Sequence, residues 1–582
     1  MKTLKQCLID YDMALLRAIA ERRGVGLTSN RQREAVVQLV SALLDPASVA
    51  EAVDWLTPAE REALDALLAA GGRMQAPLFA RRFGEIRTFG PGRLEREKPW
   101  RQPTSPAEGL WYRGLIARAF DLLEDQPTEF VFVPTDLLPL LPVPPAGPPP
   151  FTVEPAPSPP IVCDDGWAAT QDLCTFLAYL RNQSVVPLRD RSLGKQDIAR
   201  LGPRLLVAEN WAGAKHERDV PRLALLHHLA RRLGLIRLTR RQLQPNPPLA
   251  KRWLRSSPGQ QLASLQEAWR DDERWNELWR LPTLRCEDTG WRNDPRLARE
   301  RVLGHLARCP VGEWLSLEAF IAAIKRADPD FQRPDGDYRS WYIRDAASGK
   351  YLMGFEHWDQ VEGALIAHLI GGPLRWLGIV ALGYDGEVET RPHCFRITPW
   401  GAAFLELGSP LPPDPAPSPV VIASDLTVRV PAEVPLYDRF RLARISEWEA
   451  SEPEFVYRLT PAALARALGE NVSVKQVLAF LERISGGRVP PNVSVALRGW
   501  AEKFGAVRLR RAVVLQVRKE ITLQELRTLP QTAPYLIEIL SPRAALVKEE
   551  DWPRLLEELR KLGYLPQVEG LDEAEGGKHG SG

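Results

Sequence analysis

Val420-Val421-Ile422-Ala423-Ser424-Asp425-Leu426-Thr427-Val428-Arg429-Val430, held between Pro419 and Pro431, is the stretch around which the chain is organised. Its β-branched and apolar residues predict one buried strand, because such side chains suit a pleated surface and the two prolines close it off. Apolar positions recur at helical spacing from Tyr437 to Trp448. Phe455 to Leu459 predicts a second strand, running into Thr460-Pro461, a cap residue followed by proline at the first helical position of Ala462 to Leu468. Ser473 caps the next helix, whose stripe is Val474, Val477, Leu478 and Leu481 and whose stop is Gly486-Gly487. Pro490-Pro491-Asn492 opens a helix from Val493 to Phe504, and Gly505 leads into a strand from Val507 to Val517.

This order of pieces resembles the non-catalytic N-terminal domain of the xeroderma pigmentosum group B (XPB) DNA helicases, which also occurs as a helicase-associated domain in bacterial proteins with or without a motor. The carrying residues are the strand with Asp425, Tyr457-Arg458-Leu459-Thr460 before a helix, the helix from Val474 to Ile484, and Val489-Pro490-Pro491-Asn492-Val493 before Trp500-Ala501-Glu502-Lys503-Phe504-Gly505. The family tends to place proline and an aromatic around the first acidic residue, where this chain has Ser424 and Leu426, so Asp425 reads as a turn or strand-end acid. The resemblance covers about a quarter of the chain and implies work beside a helicase.

With 582 residues, 45% hydrophobic and 26% charged, the chain has the composition of an ordinary globular protein and the length of several domains. Its formal net charge is only +2, so a nucleic-acid partner requires the positive charge to be gathered on one face. No apolar run reaches the roughly 18 residues of a membrane span, and Met1 to Cys7 lacks the apolar core of a signal peptide, which predicts a cytoplasmic protein. Cys7, Cys163, Cys174, Cys286, Cys309 and Cys394 show no Cys-x-x-Cys spacing, which predicts reduced thiols and no metal.

From the amino terminus, Leu4 to Arg22 and Arg31 to Leu44 predict amphipathic helices. Thr57-Pro58-Ala59-Glu60 and Ser105-Pro106-Ala107-Glu108 are capping boxes, and Phe130 to Pro134 closes this first unit (1–141) as a strand. Three short helices and a strand or hairpin are the winged-helix plan, a variant of helix-turn-helix. A proline-rich linker (142–160) leads to a second unit (161–293) with helices at Asp172 to Arg181, Lys195 to Leu206 and Arg222 to Leu233. Its Ser257-Pro258-Gly259-Gln260 box opens a helix predicted to carry Trp269, Trp275 and Trp279 as a packed seam. A third unit (294–408) holds helices at Arg296 to Arg308, Ser316 to Ala327 and Trp358 to Leu369, with 328–355 as an insertion. A strand, a polar or proline step and a helix end each unit, which predicts three tandem winged-helix-like copies or, alternatively, three unrelated bundles. A second proline-rich linker (409–419) precedes the helicase-associated domain (420–568), and 569–582 is a polar tail expected to be disordered. The fold class expected is mainly α with short β, α+β.

Motor chemistry finds no support in the motifs. Gly194-Lys195 and Gly349-Lys350 lack the earlier glycine and the following hydroxyl of a phosphate loop. Asp271-Asp272-Glu273-Arg274 has no strand before it and reads as a solvated helix face, and neither His227-His228 nor His393-Cys394 has metal-ligand spacing. No catalytic residue and no cofactor are therefore expected.

Two basic clusters remain. Arg231 and Arg232 end a predicted third helix, and Arg237, Arg240 and Arg241 fall in the would-be wing, where a winged helix meets phosphates; the alternative is solvated arginines on a domain surface or arginines paired across an interface. Arg508, Arg510 and Arg511, with Arg518 and Lys519, form either a phosphate-tracking ridge or the wet face of a half-buried sheet. The expected function is a non-catalytic DNA-binding or helicase-associated protein of DNA repair or transcription, with DNA or a separate superfamily 2 helicase as partner. The alternative is a protein-protein scaffold whose winged helices do not bind nucleic acid.

Overall fold

The computed structural model describes residues 2–123, 126–142, 151–386, 391–408, 410–414, 416, 418–507 and 512–571. The fold is α+β, many helices with short antiparallel sheets. Contacts divide it into two compact units, Met1–Ala463 with Phe480–Val489, and Leu464–Ala479 with Pro490–Gly582.

One order of elements occurs three times in the first unit. The first copy runs helix Pro58–Ala69, strand Arg73–Gln75, helices Ala76–Phe83 and Pro106–Tyr112, then the hairpin strands Ala117–Leu123 and Gln126–Phe132. The second has helix Ala168–Asn182, an isolated bridge at Val185, helices Lys195–Leu201 and Pro221–Arg232, and strands Ile236–Thr239 and Gln242–Pro245. The third has helix Pro295–Leu306, strand Leu315–Ser316 and helix Leu317–Ala327. A longer helix then forms around Ala364–Leu369, flanked by π-helical turns, before strands Val380–Tyr384 and Cys394–Ile397. In every copy the early strand or bridge pairs antiparallel with the second strand of the hairpin: Met74 with Val131, Val185 with Leu243, Leu315 with Phe395. A short helix with proline in its first turn follows each hairpin, at Leu138–Leu140, Pro247–Arg255 and Pro399–Phe404.

Local signals placed many of these ends. Thr57 and Glu60 form the reciprocal box, as do Ser257 and Gln260. Ser105 caps its helix, but Glu108 turns instead to Arg87, 2.7 Å away, and to Thr104, so the box is not reciprocal. The single helix expected from Leu4 to Arg22 is two, Leu4–Ile9 and Met13–Arg22, because Asp12 caps a new start by accepting from the Leu15 N–H.

Packing cuts across the proline-rich boundaries. Residues 4–141 have a core of their own, whereas one continuous core runs from Ala169 through the second and third copies to Leu436. Part of the expected 142–160 linker is docked: Ser316 N–H donates to the Glu154 carbonyl and Ala156 N–H to the Trp314 carbonyl, and Ile161–Cys163 joins the third sheet beside Val380–Tyr384. The 328–355 insertion is folded too, around Arg333, whose buried guanidinium bonds Glu362 (2.7 Å) and lies 4.0 Å from the Trp341 ring.

Helix Ala168–Asn182 is the centre of the first unit, and every residue from Ala168 to Leu180 is buried. Helix Leu436–Ile445 covers one side of it. Gln171 donates to the Ala432 carbonyl, Arg181 to that of Phe440 (2.7 Å) and Asn182 to that of Ala443 (2.6 Å), while buried Arg439 donates to Thr175 Oγ1. The segment after the second linker is thus bound into the first unit, not set apart from it.

The Val420–Val430 stretch is a hairpin rather than one strand. Ser424-Asp425-Leu426 turns the chain, Leu426 takes φ 71°, and Asp425 accepts from Thr427 N–H. The sheet order is Val421–Ile422, Thr427–Val430, Phe455–Leu459, Ser446–Ala450, all antiparallel. The helix expected to reach Trp448 stops at Ile445, because Ser446–Ala450 is claimed as a strand by Phe455–Leu459. In the second unit Val513–Gln516, Ala544–Val547 and Leu536–Ser541 form a sheet over Leu526, Leu555 and Leu559.

Candidate nucleic-acid interface

The hairpin Ile236–Pro245 buries Ile236 and Leu243 and leaves Arg237 and Leu238 exposed. Thr239 pairs with Gln242, so Arg240 and Arg241 alone make the turn, with φ 49° and 65°. Such two-residue turns need positive φ at both positions and favour Asn-Gly, because a side chain's Cβ crowds the backbone there. The loop before it repeats the feature. Arg191 sits at φ 67°, in a turn closed by bonds from Arg191 N–H to the Leu188 carbonyl and from Leu188 N–H to the Ser192 carbonyl.

The strands of the hairpin, the loop at Arg191, the end of helix Pro221–Arg232 and the turn Asp271–Arg274 enclose a groove of about 850 Å³. Arg191, Arg231, Arg232, Arg237 and Arg274 line it, and Arg240 and Arg241 stand at the tip of the adjoining hairpin. The groove's acids are already engaged: Asp271 with Arg270 (2.9 Å), Glu273 with Arg296 (2.8 Å) and Asp272 with Arg232 (3.2 Å). Among the described residues Arg191, Arg231, Arg237, Arg240, Arg241 and Arg274 have no ion-pair partner, and all six are exposed.

The expected helix face at Asp271–Arg274 is instead a turn, since helix Pro258–Arg270 ends before it. Asp272 is buried, and its Oδ1 accepts from Arg274 N–H (2.8 Å) and Trp275 N–H (2.6 Å) while His228 Nε2 lies 3.1 Å from Oδ2. Burial works to raise its carboxyl, but the Trp275, His228 and Arg274 contacts together hold it below the ordinary aspartate value. Burial pulls the His228 imidazole below its ordinary value, against the hydrogen bond and charge of Asp272. Trp275 and Trp279 accordingly do not share a helix face. Trp269 and Trp275 are buried, and Trp279 stacks on Trp291, which stacks on Trp341, with ring centroids 5.2 and 5.0 Å apart.

The structure brings Arg231, Arg232, Arg237, Arg240 and Arg241 together, with Arg232 tied to Asp272. Arg508, Arg510 and Arg511 lie outside the described residues; Arg518 and Lys519 are exposed in the second unit. Arg191 and Arg274 belong to the groove but carried no signal in the sequence, because the fold alone brings their turns beside the hairpin.

The chain is thus an α+β protein with a thrice-repeated helical module, an arginine-lined groove and a C-terminal segment that begins at the Val420 hairpin. That segment has a family: residues 420–541 match the family described as helicase conserved C-terminal domain, beginning at the Val420 strand. No curated protein matches the chain.

Proposed function

We propose that the protein is a non-catalytic, helicase-associated DNA-binding protein that holds duplex DNA by its phosphates in the groove of the second module, beside a separate superfamily 2 helicase in repair or transcription. The observation that carries this is the set of six exposed, unpaired arginines on one face of a chain whose net charge is only +2. The turns at Arg191, Arg240 and Arg241 add weight. Positive φ costs an ordinary residue about 1–2 kcal/mol, and strain of this kind gathers at functional sites.

The repeated module supports a winged-helix-like reading, with the second copy as the one that meets DNA. Between the other two pairs of hairpin strands the sequence is acidic, Glu124-Asp125 in one and Asp385, Glu387 and Glu389 in the other. The third helix of the second module is buried from Arg222 to His227 and again at Leu229 and Ala230. A helix enclosed on all sides has no face to lay in a major groove, so contact falls to the hairpin and the helix end and reads backbone instead of bases. The family match at 420–541 supports work alongside a helicase, and the XPB-type resemblance is its finer form.

Anisotropy of labelled duplexes of unrelated sequence tests the proposal. Equal affinities that fall steeply with salt are expected. No binding even at low salt would move the function to the scaffold reading.

A further inference from the structure

Beyond the groove lies a smaller pocket of about 350 Å³, sharing Arg191, His228 and Arg231 with it. Arg218 and Arg280 complete its cationic wall, and the Arg280 guanidinium lies 3.7 Å from the centre of the Trp275 ring. Its two acids are already engaged: Asp190 accepts from the Ser192 hydroxyl (2.6 Å) and N–H, and Glu217 Oε2 accepts from Leu193 N–H (2.6 Å). Four guanidinium groups are therefore set against two carboxylates that are already spoken for. His227 also lines the pocket. It is 3% exposed, its Nδ1 lies 2.6 Å from Glu217 Oε1, and its Nε2 has no partner. A buried polar atom without a partner is costly unless a ligand or water meets it.

We propose that this pocket binds a phosphomonoester, supplied by the phosphate-bearing end of a DNA strand lying in the groove. The inference rests on the DNA-binding reading and deepens it. The volume holds roughly ten waters at about 30 Å³ each, enough for a phosphate with its attached sugar. A terminal phosphate carries up to two charges and an oxygen that takes or gives a proton near neutrality. That suits several arginines together with a histidine whose Nδ1 proton goes to Glu217, leaving Nε2 as the free ring nitrogen. An internal diester has a single charge and no ionisable oxygen for Nε2, so it suits the pocket less well. The chemistry is shared by two sources, a DNA end and free phosphate or a mononucleotide.

The test uses the full chain and a duplex closed by a hairpin at one end, the other carrying a 5′-phosphate, a 3′-phosphate or only hydroxyls. Binding about tenfold tighter to one phosphorylated end is expected, the effect of one or two charge-assisted bonds. Arg218→Ala and Arg280→Ala should each erase that preference while leaving the affinity for the hydroxyl end unchanged. If the ends do not differ but inorganic phosphate, against chloride at equal ionic strength, raises the melting temperature of wild type and not of the two variants, the phosphomonoester site stands with a free ligand as its source. Bound DNA with no end preference and no stabilisation by phosphate overturns the pocket and leaves the groove reading intact. A preference that persists in both variants places the site elsewhere and overturns it too, and a wild type that binds neither DNA nor phosphate overturns both.

Discussion

Asp272 Oδ2 lies 3.2 Å from Arg232 Nε, the carboxylate buried and the guanidinium at the surface, so one wall of the arginine groove is pinned by an acid from the neighbouring turn. Asp272 also satisfies two backbone N–H groups, and an unsatisfied buried donor costs about 1–3 kcal/mol. Asp272→Ala is expected to lower the urea midpoint by the equivalent of about 2 kcal/mol or more. The pH dependence follows from the sign of its shift. The folded carboxyl titrates below its unfolded value of about 4, so its contribution is present above that pH and is lost as the pH falls through the folded value. The stability gap between wild type and Asp272→Asn should therefore narrow below about pH 4, and a gap independent of pH would contradict the assignment.

The strained turn makes a prediction of opposite signs. Replacing Arg240 and Arg241 by Asn and Gly gives the turn the residues its dihedrals favour, which should stabilise the chain by about 1–2 kcal/mol. The same exchange should weaken DNA binding. A variant that is both less stable and unchanged in binding would remove the functional explanation for arginine there.

Salt dependence counts phosphate contacts. Each contributes roughly 0.9 to the slope of log affinity against log salt, so Arg237→Ala, Arg240→Ala and Arg241→Ala combined should flatten the slope by about two to three units without creating a sequence preference. Native far-ultraviolet circular dichroism must accompany that result. Equal slopes for wild type and triple variant would take the hairpin off the DNA.

Helix Ala168–Asn182 depends on residues beyond the second proline-rich stretch, since Gln171, Arg181 and Asn182 donate to carbonyls between Ala432 and Ala443. A chain ending at residue 408 should therefore expose apolar surface, bind the dye ANS, and lose hydrogen-exchange protection in that helix. Unchanged protection would mean that helix Leu436–Ile445 contributes nothing to it.

Purified protein is expected to show no ATP turnover with or without DNA, because Gly194-Lys195 and Gly349-Lys350 lack the remainder of a phosphate loop. Turnover that co-purifies with the chain through successive columns, and is lost from none of them, would contradict this.

Much of the fold was legible in local signals. Caps at Thr57, Ser105 and Ser257, glycine stops and proline starts placed many helix ends, and apolar periodicity located helices such as Val474–Ile484 and strands such as Phe455–Leu459. These signals act within a turn or two of chain, so residue order suffices to read them. For the same reason the arginines of the second hairpin could be singled out, and the helicase-family segment could be located from Val420.

Which parts stand together was decided only by tertiary packing. Proline-rich composition marks an extended backbone but not whether that backbone is docked, so the linkers did not show that Glu154 and Ala156 bind the third sheet or that helix Leu436–Ile445 covers helix Ala168–Asn182. The burial of Asp272, and the meeting of Arg191 and Arg274 with a hairpin tens of residues away, depend on contacts distant in sequence that no local pattern encodes. A charge costs little in water and much in a core unless it is paired, and only the folded surroundings decide which arginines are held by acids and which face the solvent unpaired.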